Sequence, residues 1–310
     1  MDKQQRSSLI KDFVMKMSIQ EFITYAQDRQ WIPTVFKCEI CHNFCAQQKN
    51  KLSYIWYCKQ CPKQYSILYG TYFYNSKFDI RLLSLIAIFC VSELTVHQVA
   101  RLLPVSERNI YGYFHQIRQA IIASQLVQLL EGEVEIDESL FARHKYHVGR
   151  HRKTMQIWVL GLKQRDSDAC RFFVVGNTRT EAVLLPLIKS CVKNQSVIYS
   201  DKWRAYFNLQ SHNSYVHYTV NHSIQFVNRA LMPQNILIHT QGIESTWNAA
   251  KMHFRMMRGC HKENIQEYLN YYSVLKQKHR NVEDLLDIGL NFNNYYYEDV
   301  TQDIVTNQTQ

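Results

Sequence analysis

Two Cys-x2-Cys pairs, Cys38 with Cys41 and Cys58 with Cys61, are separated by sixteen residues. Each pair fits a tight knuckle, and together four thiolates complete a tetrahedral Zn²⁺ site. The segment between the pairs is polar and Lys-rich, and without a metal it has too little apolar area to hold a fold. Trp56 and Tyr57 alternate up to Cys58, so residues 31–75 are expected to form a β-hairpin zinc ribbon around one structural Zn²⁺. Free structural thiols are the alternative reading. His42 and Cys45 are spare ligands, and exchange with Cys41 stays open.

A second constraint is Gly132-Glu133-Val134-Glu135-Ile136-Asp137-Glu138-Ser139-Leu140-Phe141. Polar and apolar residues alternate, as in a half-buried strand, which puts Glu133, Glu135 and Asp137 on one face and Val134, Ile136 and Glu138 on the other. Such a strand is either a solvated edge with spare acids or the start of a divalent-metal site. Two later stretches favour the second. A β-branched run, Ser196 to Asp201, ends on an acid, and a helix from about Gly242 carries Glu244 in its first turn. Strand-Asp, strand-Asp and helix-Glu all sit on rigid elements, and hard carboxylate oxygens suit Mg²⁺. Each acid alone is a weak signal, since a helix-start Glu is commonly a capping device.

Around these features the chain divides into five parts. Residues 1–30 read as a helical arm, and residues 76–125 as three helices. In the latter, Thr95 and Ser106 are N-caps and Pro104-Val105 is a turn, the spacing of a helix-turn-helix. Its third helix offers Arg108, Asn109, Tyr113 and Arg118 to DNA, against the plainer reading of a helical packing domain. Residues 132–280 alternate strands and helices, in the order three strands, helix, strand, helix, strand, helix. A closing helix over 264–280 carries Tyr268, Tyr271 and Tyr272, read as core. Residues 281–310 read as an acidic, flexible tail. That tail has six acids and no Lys or Arg, which leaves 36 cations against 20 acids in the first 280 residues. A basic body of this kind favours a polyanionic partner. Eight of the eleven residues from Arg143 to Lys153 are basic or His; Arg143, Lys145, Arg150, Arg152 and Lys153 suit DNA phosphates, against the plainer readings of a solvated turn or a nuclear import signal, and so do Lys251, Arg255 and Arg258 on the Glu244 helix, against a solvated helix face. His222 and His239 read as hydrogen-bonding groups rather than metal ligands. No leader and no membrane-length apolar run is expected, so clustered cysteines point to a reducing compartment and to metal.

The local text EIDESLF (135–141), HKYHVGRHRK (144–153), YSDKWRAY (199–206), VNHSIQFVN (220–228) and HTQGIESTWNAAK (239–251) resembles Merlin-type transposases and their bacterial relatives, the ISXO2-like group. The resemblance covers about 120 residues in the same order. It implies an α/β, RNase H-like DDE domain whose metal-binding acids fall on Asp137, Asp201 and Glu244. It further implies two Mg²⁺ (or Mn²⁺) ions, hydrolysis at transposon ends, and attack of the freed 3′-OH on target DNA. Double-stranded DNA is then the partner and a homo-oligomer the expected assembly, without a membrane. The protein would work in the nucleus of a eukaryote or the cytoplasm and nucleoid of a bacterium. The competing readings are a domesticated DNA-binding regulator without catalysis and a plain metal-dependent nuclease.

Overall fold

The computed structural model of the chain describes residues 16–50, 53–74, 76, 78–123, 129–143, 156–212, 215–220, 238–257, 260–278 and 281–291. It divides into two compact units, residues 1–124 with 280–310, and residues 125–279.

In the first unit, helix α1 (Ile19–Asp28) begins at a reciprocal cap. Ser18 Oγ accepts from the Glu21 N–H while the Glu21 carboxylate accepts from the Ser18 N–H, satisfying two donors the helix start leaves open. The ribbon region is a three-stranded antiparallel sheet, β1 (Ala46–Asn50), β2 (Ser53–Tyr57) and β3 (Gln64–Ser66), in that order. Trp56 pairs across to Gln47 and Tyr65 and stacks on Phe36. Helix α2 (Ile80–Val91) is buried nearly all round, as its apolar sequence requires. Helices α3 (Val96–Leu102) and α4 (Glu107–Ala123) follow, with Thr95 the N-cap of α3 as expected and Gln98 completing a capping box with it.

Two expectations are corrected here. Arg118, offered to DNA by its charge, is 4% exposed. It shares the face of α4 that buries Phe114, Ile117 and Ile121, because residues three and four apart lie on one side of a helix. The start of the acidic tail is not a flexible segment but helix α8 (Val282–Leu290), capped by Asn281, with Leu285, Leu286 and Leu290 buried. Its Asp287 takes a two-pronged bond from Arg29, both arms 2.8 Å, and another from Trp31 Nε1 at 3.0 Å.

The second unit is built on a five-stranded mixed sheet: β4 (Glu133–Arg143), β5 (Gln156–Gln164), β6 (Cys170–Gly176), β7 (Val197–Asp201) and β8 (Val216–Val220). Across the sheet the order is β6-β5-β4-β7-β8. Strand β5 runs antiparallel to both neighbours, while β4, β7 and β8 are parallel. One face packs Val134, Ile136, Leu160, Leu162 and Ile198 against helix α5 (Glu181–Cys191) and a 3-10 segment (Arg204–His212). The other packs Ile157, Val159, Cys170 and Phe172 against helix α6 (Gln241–Met256) and helix α7 (Ile265–Gln277). Tyr271 and Tyr272 of α7 are buried, as read.

Candidate active site

Strands β4 and β7 pair in parallel register, Glu133 beside Val197, Val134 beside Ile198 and Glu135 beside Tyr199. Two residues further along each strand stand Asp137 of β4 and Asp201 at the end of β7, close enough for the Asp201 charge to act on Asp137. Burial and then the Asp201 charge push Asp137 up to about 7. Burial disfavours the charged form of a carboxyl, and a like charge nearby adds to the effect. Trp247 Nε1 of α6 donates to Asp137 Oδ2 at 3.1 Å, and the Trp203 N–H donates to Asp201 Oδ1 at 3.0 Å. Behind Asp201, Ser200 Oγ meets His217 Nε2 at 2.8 Å, and burial lowers that ring to about 4, leaving it neutral.

Alternation assigns Glu138 to the apolar face, and its carboxylate indeed meets that side, accepting from the Tyr206 hydroxyl at 2.5 Å. It also feels the Asp201 charge; burial is the main cause of its raised pKa. Sequence reasoning left Glu138 unused. The available signal was a carboxylate following Val134 and Ile136 on one face, which must find a buried partner.

Helix α6 is seated by Glu135. This carboxylate is 1% exposed. Its Oε2 accepts the Ile243 N–H at 2.8 Å at the positive end of the helix, and its Oε1 accepts from Arg165 Nε at 2.9 Å. Arg165 continues to Glu133 at 3.1 Å and to the His239 carbonyl at 2.6 Å, and lies flat over Tyr199 at 3.6 Å. Gly242 is needed here because a Cβ would lie 2.8 Å from Glu135 Oε2. Gly161, opposite Asp137 on β5, is needed equally: a Cβ there would run into the Trp247 ring. Glu244 stands one turn before Trp247 on α6, and its carboxylate accepts from Thr240 Oγ1 at 3.2 Å. Among the described residues, the groups of three or more His, Cys, Asp or Glu placed to hold a metal ion do not include Glu244 with Asp137 and Asp201. Lys251, one turn beyond Trp247, donates to Ser139 Oγ at 2.7 Å and lies over Phe141, and burial lowers its pKa. Arg255 is exposed. The cleft lined by Lys163, Asp166, Asp168 and Gln277 lies at the β5–β6 turn, past the start of β4.

In the other unit, Cys38, Cys41, Cys58 and Cys61 bring their sulfurs within 4.8 Å of one another. Individual separations are 3.3 Å (38 to 61), 3.4 Å (41 to 58) and 3.8 Å (41 to 61). Disulfide sulfurs sit at about 2.0 Å, whereas four ligands at about 2.3 Å from a tetrahedral ion stand close to 3.8 Å apart. The quartet therefore fits a metal ion. The Tyr65 hydroxyl, 3.3 Å from Cys38 Sγ, holds that thiol down, which favours a thiolate ligand. Cys45 stays outside the quartet, its thiol pushed up to about 11 by burial. Arg108 and Asn109 are exposed in the first turn of α4, whereas Tyr113 packs on Tyr72 and Phe78 and shares a hydrogen bond with Ser76. Arg143 ends β4; its side chain, together with Lys145, Arg150, Arg152, Lys153, His222 and Arg258, lies outside the described residues.

A mixed five-stranded sheet that carries Asp137 within β4 and Asp201 at the end of the neighbouring parallel β7, in a chain whose other unit gathers four thiols, defines an α/β protein. Residues 129–274 match the ISXO2-like transposase domain. An uncharacterized transposase-like protein of Haemophilus influenzae is 35% identical over 96 residues, which is 31% of this chain and 71% of that protein. The chain belongs to the ISXO2-like transposase family. No solved structure matches it. Among the described residues, no helix is long and apolar enough to cross a membrane.

Proposed function

We propose that this chain is a DNA transposase. In this reading its second unit is an RNase H-like DDE domain that hydrolyses a phosphodiester at transposon ends and then joins the 3′-OH to target DNA. The observation that carries the reading is that Asp137 of β4 and Asp201 of the neighbouring parallel β7 lie close enough for the Asp201 charge to act on Asp137, in a chain of this family. The strand order, with β5 alone reversed, supports the RNase H-like assignment. The donor set is hard oxygen, which suits Mg²⁺ or Mn²⁺. Asp137 and Asp201 would hold the ions, with Glu138 beside them and Glu244 as the third acid by family resemblance. When bound, a pair of such ions stabilises both the attacking and the leaving oxygen of a phosphoryl displacement.

The chain's own residues have separate tasks. Trp247 fixes the Asp137 carboxylate by one donated hydrogen bond. Glu135 and Arg165 set the start of α6 and so the position of Glu244. Lys251 and Arg255 continue along the same helix as cations for phosphate. The cysteine quartet takes structural Zn²⁺, and Arg108 and Asn109 lead the helix offered to double-stranded DNA. Two DNA ends call for a homo-oligomer. Neither Ser139 nor any tyrosine is required as a covalent nucleophile.

The test is cleavage of a duplex carrying the element's own termini by the full-length, zinc-loaded protein with and without Mg²⁺. Wild type is expected to cut only with the ion. Asp137→Asn and Asp201→Asn are expected to bind the duplex normally without cutting it. Cleavage by either variant at the wild-type rate would overturn the assignment.

A further inference from the structure

Beside Asp201 lies a group of aromatic and basic side chains that the proposed reaction does not use. Trp203 begins two residues after Asp201 and is tied to it by its backbone N–H. Its indole Nε1 donates to the Arg179 carbonyl at 3.4 Å. The Arg179 guanidinium lies 3.6 Å over the Trp158 ring and 4.8 Å from the Trp203 ring, and Trp158 is itself oriented by a 3.0 Å bond to Gln156. Three contacts thus fix Trp203, yet it remains 39% exposed, whereas Trp31 and Trp56 are each 2% exposed. Lys202 and Arg204 on either side are exposed, and Phe207 is 62% exposed.

We propose that Trp203, backed by Arg179 and Trp158, is a stacking site for an unpaired nucleobase of the DNA strand held at Asp201. The inference rests on the reading of the second unit as a DNA-cleaving domain. An indole held in one orientation with a face in water has already lost the freedom that binding would otherwise remove. Flanking cations supply phosphate contacts, and the π-face supplies what every nucleobase can use. Bases within an intact duplex are stacked on each other, so the site takes only a base that has left its pair.

The experiment measures binding without Mg²⁺, so that it reports on stacking whether or not the protein cuts. Full-length, zinc-loaded protein is titrated by fluorescence anisotropy against a labelled short oligothymidylate, the same strand with its central nucleotides abasic, and a duplex of equal length. Trp203→Ala is expected to weaken oligothymidylate binding by roughly 5- to 150-fold, the range for losing one base–aromatic stack. Trp203→Phe keeps a ring and is expected to restore most of it. Both variants should bind the abasic strand and the duplex as wild type does, and melt with it. Undiminished oligothymidylate binding by Trp203→Ala overturns the proposal. So does an equal loss on all three probes, which would make the indole a structural element or a protein-facing one.

Discussion

Asp137 is the residue at which function and stability pull apart. Its carboxyl is raised from 3.8 to about 7 by burial first and by Asp201 second. A carboxyl with a raised folded-state pKa contributes stability that is present below its unfolded value and lost as pH climbs through the folded one. The metal-free protein should therefore lose stability between about pH 4 and pH 7 from this group. The loss is about 2 kcal/mol after allowance for solvent screening of a partly exposed side chain. Asp137→Asn does not titrate. In thermal melts without divalent ions, its advantage over wild type should be small near pH 5 and largest near pH 8, and Mg²⁺ should remove it by stabilising wild type alone. An advantage independent of pH would show that the Asp137 carboxyl is not raised by its burial and its charged neighbour. Gly161→Ala makes a complementary case. A Cβ there displaces Trp247, so the variant should lose about 1–3 kcal/mol by overpacking. Cleavage should fall because Asp137 loses its indole donor, and a cleavage rate matching wild type would show that this donor is dispensable.

At the scale of elements, α8 shows what charge composition conceals. Six acids in thirty residues suggest a solvated tail, but Leu285, Leu286 and Leu290 recur at helical spacing and are buried. Leu285→Ala should destabilise the first unit by about 2–4 kcal/mol, read as a lowered denaturation midpoint. Ending the chain after Asn291 should leave the midpoint unchanged, whereas ending it after Asn281 should not. Equal midpoints for the two truncations would remove α8 from the core. The elements that reading the sequence located well are those with local markers. Thr95 and the alternation of β4 each act through neighbours a few residues away, and the two Cys-x2-Cys pairs mark the quartet by their spacing, with His42 and Cys45 left open as alternatives. Where the outcome depends on distant partners, local text was insufficient. Alternation gives the face of Glu138 but not Tyr206, which lies in the 3-10 segment across the sheet. Charge draws Arg118 toward DNA, although its spacing from Phe114 and Ile121 puts it in the core. A helix-start Glu marks the beginning of α6 without saying that its carboxylate turns to Thr240. Asp137 and Asp201 meet because β4 and β7 are parallel neighbours, a topological fact that short stretches carry only through family resemblance.

For the whole molecule, the division into two units has a thermodynamic consequence. The first unit has a helical core from α2, α4 and α8 and a small three-stranded sheet whose β1 is mostly exposed; in the proposed reading that sheet takes its order from a metal clamp. The second has a continuous core on each face of its sheet. A full-length protein built this way should melt in two calorimetric transitions rather than one. Chelation with 1,10-phenanthroline should lower or abolish the transition of the first unit and leave that of the second in place. Cys58→Ser should reproduce the effect without chelator, because one missing thiolate leaves three ligands where a closed structural site takes four. Residues 129–279 expressed alone should give a single transition at the position of the second, insensitive to chelator. A lone transition in the full chain that moves as a whole on zinc removal would mean that the ribbon's metal stabilises the catalytic sheet as well, and the two units would then be one cooperative body.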